Sequence, residues 1–197
     1  MKILVTGATG FLGAEVAKQL ISRGHKVVAL VRTPAKASLL AMLGAELHIG
    51  DITEPDPLSR PMQGVDGVFH LAAWYKIGAP DARELATAIN VEGTRHVLDA
   101  MRAAGVPKGV YTSSLAVNSD THGAIVDESF RYDGPHLSAY DETKWRAHYE
   151  VALPAIEAGL PQRRIERGPD AVQVCFGPHV PGECLMLLRI NEPHSNT

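Results

Sequence analysis

The sequence predicts a doubly wound α/β fold, a parallel sheet with helices on both faces. Three observations carry that expectation. Short apolar runs rich in β-branched residues alternate with longer amphipathic stretches through residues 1–160. Three glycines, Gly7, Gly10 and Gly13, follow directly on the first apolar run. No internal repeat, low-complexity tract or linker breaks this alternation.

The elements follow in order. Lys2 to Val5 is expected as a strand, Phe11 to Arg23 as a helix, Lys26 to Val31 as a strand and Ala35 to Leu43 as a helix. Glu46 to Ile49 and Gly67 to Leu71 are the next strands, with a short proline-rich helical stretch at Glu54 to Met62 between them. A long helix is expected from Asp81 to Ala104, then a strand at Gly109 to Thr112 and a second long helix from Ala139 to Ala158. Strand, helix and strand repeated in this way are the pattern of a parallel sheet covered on both faces.

Composition narrows the function. The 197 residues are 45% hydrophobic and 21% charged with a formal net charge of −3, ordinary values for a globular domain. No basic excess points to nucleic acid or to an anionic membrane. Glycines interrupt the first apolar run long before it could form a signal-peptide core or a spanning helix, so the expected location is the cytoplasm. Cys175 and Cys184, the only cysteines, have no partners at metal-ligand spacing, and no metal is expected.

The stretch "TGATGFLG" turns a strand straight into a helix. Gly7 permits the tight turn, Gly10 lets backbone approach a bound group, and Gly13 lets helix and strand pack closely. The free amides and dipole of that helix start favour a pyrophosphate, so the fold is read as Rossmann-type and the ligand as a dinucleotide. At the end of the second strand, "VVALVRTPAK" places Arg32 where an acidic residue would accept hydrogen bonds from ribose hydroxyls. A guanidinium there suits a 2′-phosphate, with Lys36 as a second charge. NADP(H) is therefore expected over NAD(H), which stays open, as does a plain solvated role for Arg32.

Tyr140 and Lys144 lie four residues apart, on one face of the second long helix. A lysine ammonium there can stabilise a tyrosinate, and a phenol that otherwise titrates near pH 10 needs such a neighbour to exchange protons at neutral pH. "VYTSSLAV" delivers Ser113 and Ser114 to the carboxyl end of the fifth strand, the edge where open α/β sheets place ligands. Trp74 and Tyr75 leave the fourth strand at the same edge and either border the ligand or make a plain hydrophobic contact. His25, His48 and His70 read as surface or core histidines rather than ligands.

Taken in order, "TGATGFLG", "GDIT", "VFHLAA", "NVEGT", "YTSS" and "YDETK" resemble the extended short-chain dehydrogenase/reductases, in particular the dihydroflavonol-reductase-like and sugar-epimerase-like branch of the NAD-dependent epimerase/dehydratase family. The resemblance covers Met1 to Pro161. It implies a catalytic group of Ser114, Tyr140 and Lys144, with Ser113 as the fallback serine. Asn90 would support the site through water, although packing or capping would equally explain it. It implies that Asp51, otherwise an ordinary helix cap, contacts the adenine, and that Leu71, Ala72 and Ala73 let the cofactor lie close. The expected cofactor set is thus Gly7, Thr9, Gly10, Phe11, Leu12, Gly13, Arg32, Lys36, Asp51, Ile52, Leu71, Ala72, Ala73, Tyr140 and Lys144. The substrate implied is a small carbonyl or alcohol compound, or alternatively a nucleotide sugar; a nucleotide-binding module without turnover is the third reading. Relatives of this kind pair through their two long helices, so a homodimer is also implied.

Residues 161–197 depart from the pattern. Where a buried sixth strand should begin stand Gln162, Arg163, Arg164, Glu166 and Arg167, which cannot be buried unpaired without a large desolvation cost. The strand is expected to be displaced, placed at the sheet edge, or absent. This divergent tail is read as partly disordered or as a remnant of a substrate lobe that is largely missing, from truncation, a frame shift or a natural minimal form.

Overall fold

The structure, a computed structural model, describes residues 1–75, 82–127, 129–160 and 187–189. Five parallel strands form the body of the sheet: β1 (Lys2–Thr6), β2 (Lys26–Val31), β3 (Glu46–Ile49), β4 (Gly67–His70) and β5 (Gly109–Thr112), in the spatial order β3-β2-β1-β4-β5. The order reverses between β1 and β4, so a crevice opens outside the carboxyl ends of the strands at that point. A sixth strand, β6 (Leu187–Arg189), pairs antiparallel with β5 at the edge. An antiparallel neighbour needs no helical crossover, and this places a strand at the sheet edge far downstream of the charged stretch. The rest of the tail, 161–186 and 190–197, lies outside the described residues, as do 76–81.

Helices α1 (Phe11–Ser22) and α2 (Ser38–Met42) cover one face. Ile3, Val5, Val27, Ala29 and Val31 point to that side and pack with Ala17 and Leu40. The alternate residues Leu4, Val28, Leu30 and Val68 point to the other side, where they meet Leu58 and Met62 of α3 (Asp56–Met62) and Val97, Leu98 and Met101 of α5 (Gly93–Ala103). The period of two along each strand thus feeds two separate cores.

The two long helices have a feature that periodicity does not reveal. α4 (Arg83–Ala86) runs into α5 through a π-helical turn, Thr87–Glu92. α6 (Ala139–Arg146) runs into α7 (Leu153–Glu157) through another, Ala147–Ala152. Such widened turns tend to occur at functional sites, and the first of these carries Asn90. α6 starts at a built cap: Ser138 Oγ accepts from the Asp141 amide at 3.1 Å, and Asp141 and Glu142 stand in its first turn. An ion pair between Arg83 and Glu142 ties α4 to α6.

Candidate functional site

The first βα turn is built as its glycines require. Gly7 has φ 71°, and a Cβ on it would lie 2.7 Å from the Ala72 nitrogen. A Cβ on Gly13 would lie 2.1 Å from the Gly7 carbonyl oxygen, so only a glycine lets α1 start this close to β1. At Gly10 a Cβ would meet only the Gly7 oxygen, at 3.3 Å, and otherwise project into an exposed cradle. No side chain caps α1 and no acidic residue occupies its first turn. An anion fits this helix start.

A cleft opens along the sheet edge from that turn, lined by Gly7, Thr9, Gly10, Arg32, Asp51, Ile52, Leu71, Ala72 and Ala73. All nine belong to the expected cofactor set. Leu30, Val31, Gly50 and Ile89 also line it. The first three were legible in principle, since they end β2 and β3 beside Arg32 and Asp51. Ile89 comes from the distant π-helical turn, which only the tertiary fold brings in. Phe11, Leu12, Gly13, Lys36, Tyr140 and Lys144 are not among the cleft's lining residues; Phe11 is 83% exposed at the start of α1, and Gly13 is buried behind the turn. Arg32 reaches Asp51, with Nη1 3.6 Å from Oδ2, while the other carboxylate oxygen of Asp51 accepts from the Thr53 amide at 3.1 Å. Below them the His96 ring meets the Ile52 carbonyl at 2.9 Å and anchors this turn to α5.

The register of the sheet sets up the other half of the site. Thr6, His70 and Tyr111 are successive partners across β1, β4 and β5, so their side chains form one row on one face. The hydrogen bonds along that row determine the tautomer of His70. Thr94 donates to the Asn90 carbonyl at 2.7 Å and so must accept at 3.1 Å from His70 Nε2–H. His70 Nδ1 is then bare and accepts from the Thr6 hydroxyl at 2.8 Å, leaving Thr6 Oγ1 to accept from the Ala72 amide at 3.3 Å. The imidazole is fully buried, and that burial, helped by the Lys144 cation, drives its pKa down to about 3. His70 is a core histidine, as expected.

Lys144 is buried on α6 at 4% exposure. Its ammonium donates to the Thr112 carbonyl at 2.8 Å and stands 5.1 Å above the centre of the Tyr111 ring. Burial lowers its pKa to about 8. One turn before it, Tyr140 is half-buried and meets the Tyr75 ring edge-on at 4.9 Å. Tyr75 lies two residues beyond Ala73, which lines the cleft, while Tyr75 and Tyr140 are not among its lining residues. Ser113 is 1% exposed, whereas Ser114 is half-buried, with its Oγ accepting from the Ala116 amide at 3.2 Å. The structure presents Ser114 and buries Ser113.

Asn90, 2% exposed, accepts at Oδ1 from the Trp74 amide at 2.7 Å. Its Nδ2 donates to the Trp74 carbonyl at 3.1 Å and to Thr143 Oγ1 at 3.0 Å. These bonds use the carbonyl and both amide protons directly within the protein, where the resemblance implied support through water.

Comparison with known proteins agrees with this fold. The 3-beta hydroxysteroid dehydrogenase/isomerase family matches residues 4–155. The chain belongs to this family. It is one of the extended short-chain dehydrogenase/reductases, as the six motifs implied. A putative dihydroflavonol 4-reductase of Synechocystis is 39% identical over 157 residues, 79% of this chain and 45% of that protein. A 2-alkyl-3-oxoalkanoate reductase of Stenotrophomonas maltophilia is 40% identical over 164 residues, 81% of this chain and 48% of that protein. The crystal structure of a short-chain dehydrogenase/reductase superfamily protein from Agrobacterium tumefaciens with bound NAD superposes with a TM-score of 0.65 at 31% identity, over 81% of this chain and 45% of that one. The chain spans about half the length of the curated relatives it matches.

Proposed function

We propose that this chain is the nucleotide-binding half of an NADP(H)-dependent oxidoreductase acting on a small carbonyl or alcohol compound. The observation that carries the reading is the convergence of nine expected cofactor residues on one cleft at the carboxyl ends of the strands. The cradle at Gly10 takes the diphosphate, Asp51 and Ile52 the adenine, and Ala72 and Ala73 allow close approach of the cofactor. Arg32 exchanges Asp51 for a 2′-phosphate, which a bidentate guanidinium binds better than a single carboxylate oxygen 3.6 Å away. The bound nicotinamide would supply or accept the hydride.

Tyr140 gives a proton to the carbonyl oxygen in reduction and takes it back in oxidation. Lys144, held on Thr112 and Tyr111, keeps its positive charge directed at lowering the cost of the tyrosinate. Ser114 donates to the carbonyl oxygen as negative charge develops on it. The identity of 39–40% to two reductases supports this chemistry over nucleotide-sugar epimerisation, which remains the alternative.

The experiment is a thermal-shift and fluorescence titration with NADPH and NADH, followed by a turnover screen against aldehydes, ketones and nucleotide sugars. A ligand of the native state at a hundred times its Kd adds about 2.7 kcal/mol of stability. Stabilisation stronger with NADPH, lost in Arg32→Ala, is expected; no stabilisation by either nucleotide ends the proposal. Binding without turnover would leave a nucleotide-binding module. A homodimer is also proposed, through the groove between α5 and α7, where Leu98, Val151, Pro154 and Ala155 lie among Arg95, Asp99, Arg102 and Glu150. A monomeric mass in solution would remove it.

A further inference from the structure

A closed circuit of contacts surrounds Tyr140. The carboxamide of Asn90 pairs with both backbone groups of Trp74, at 2.7 and 3.1 Å, as a neighbouring strand would, although β4 has already ended at His70. The same carboxamide donates to Thr143 Oγ1 at 3.0 Å, and Thr143 donates in turn to the Ala139 carbonyl at 2.7 Å, with the Tyr140 carbonyl 3.2 Å away. Thr143 is fully buried. The first turn of α6 is therefore fastened, through two side chains, to the chain leaving β4. The next residue along that chain, Tyr75, closes the circuit by setting its ring at 78° to the Tyr140 ring, with centroids 4.9 Å apart.

We propose that Thr143 and Tyr75 are positioning residues for Tyr140. Thr143 holds the exit of β4 at a set distance from α6, and Tyr75, carried on that exit, keeps the Tyr140 ring from swinging and so fixes the direction of its hydroxyl. A phenol whose ring is free to swing about its Cα–Cβ bond would spend much of its time out of line with the substrate oxygen, and orientation of this kind is a large part of catalytic efficiency. An edge-to-face contact suits the task because the positive ring edge prefers the negative face in one arrangement. A threonine serves at 143 because its hydroxyl can accept from Asn90 and donate along its own helix at once. The inference rests on Tyr140 as the acid, but its test does not.

The test follows the Tyr140 resonance in protein labelled with 13Cζ-tyrosine, assigned with Tyr140→Phe, without substrate or turnover. Tyr75→Leu and Thr143→Val are each expected to shift that resonance. The double variant should shift it no further than Tyr75→Leu, since both act on one contact. Thr143→Ser, which keeps the hydroxyl, should leave it at the wild-type position. An unmoved resonance in Tyr75→Leu or in Thr143→Val overturns the proposal, as does a serine variant shifted like the valine one. If the valine variant does not fold, Thr143→Ala takes its place under the same two outcomes. Failure of the acid assignment would appear separately, as turnover that survives Tyr140→Phe.

Discussion

Gly10 and Gly13 sit three residues apart, yet they do different work. A methyl on Gly13 would strike the Gly7 carbonyl oxygen, which is backbone and cannot turn aside. Gly13→Ala is expected to destabilise the domain by about 1–3 kcal/mol, the usual cost of overpacking, and to displace the Gly7 turn, as a urea unfolding curve would show. A methyl on Gly10 meets one atom at a distance that a small shift relieves, so Gly10→Ala should unfold close to the wild-type midpoint. The same methyl fills the cradle, and NADPH affinity should fall in a fluorescence titration. Tyr140→Phe makes the complementary separation: nucleotide affinity is retained and turnover is lost.

At the scale of the element, α6 has to deliver Tyr140 and Lys144 in register, and its first turn is capped from three directions. Ser138 caps it through a side-chain oxygen, the Arg83–Glu142 pair holds it to α4, and Thr143 holds it to Asn90. Removing the cap with Ser138→Ala should cost about 1 kcal/mol of stability, read as a drop in melting temperature. The cap motif is visible in "SAYDETK", and so is the spacing of Tyr140 and Lys144. The π-helical turns are not visible, because apolar residues three and four apart satisfy either helix. Asn90 stands in such a turn because its long-range bonds to Trp74 and Thr143 decide the local geometry, and a sequence shows no partner 16 or 53 residues away.

For the whole molecule, two buried histidines shape the response to acid: His70 in the row across the sheet and His148 in the π-helical turn Ala147–Ala152. His70 and His148 have pKa values lowered by burial and by Lys144, from 6.5 to about 3 and about 4. Between those values and 6.5 the unfolded chain binds protons that the folded one refuses. Each histidine therefore withdraws roughly 1.4 kcal/mol for every pH unit below the free value. The histidine share of stability should be level above pH 6.5 and fall steeply from there towards pH 4, which melting temperatures taken across that range would show. Lys144 acts at the opposite end: with its pKa at about 8 against 10.5 in the unfolded chain, its share of stability rises as pH climbs between those values.

By itself the sequence determined the parallel sheet, its two-sided cover, the glycine turn and the Tyr140–Lys144 spacing. All of these depend on local repeats of two and about four residues, or on backbone freedom at single glycines. It also marked Arg32, because strand ends are where such a sheet opens, whereas Asp51 and Ala72 were singled out only by the resemblance of "GDIT" and "VFHLAA" to the family. Only the tertiary structure decided that Arg32 faces Asp51, that Ile89 joins the cleft, that Ser114 rather than Ser113 stands half-buried, and that β6 lies antiparallel at the edge. Each of these is a contact between segments far apart in the chain. Its energy comes from packing and buried hydrogen bonds that form when the layers close, and no residue carries that information alone.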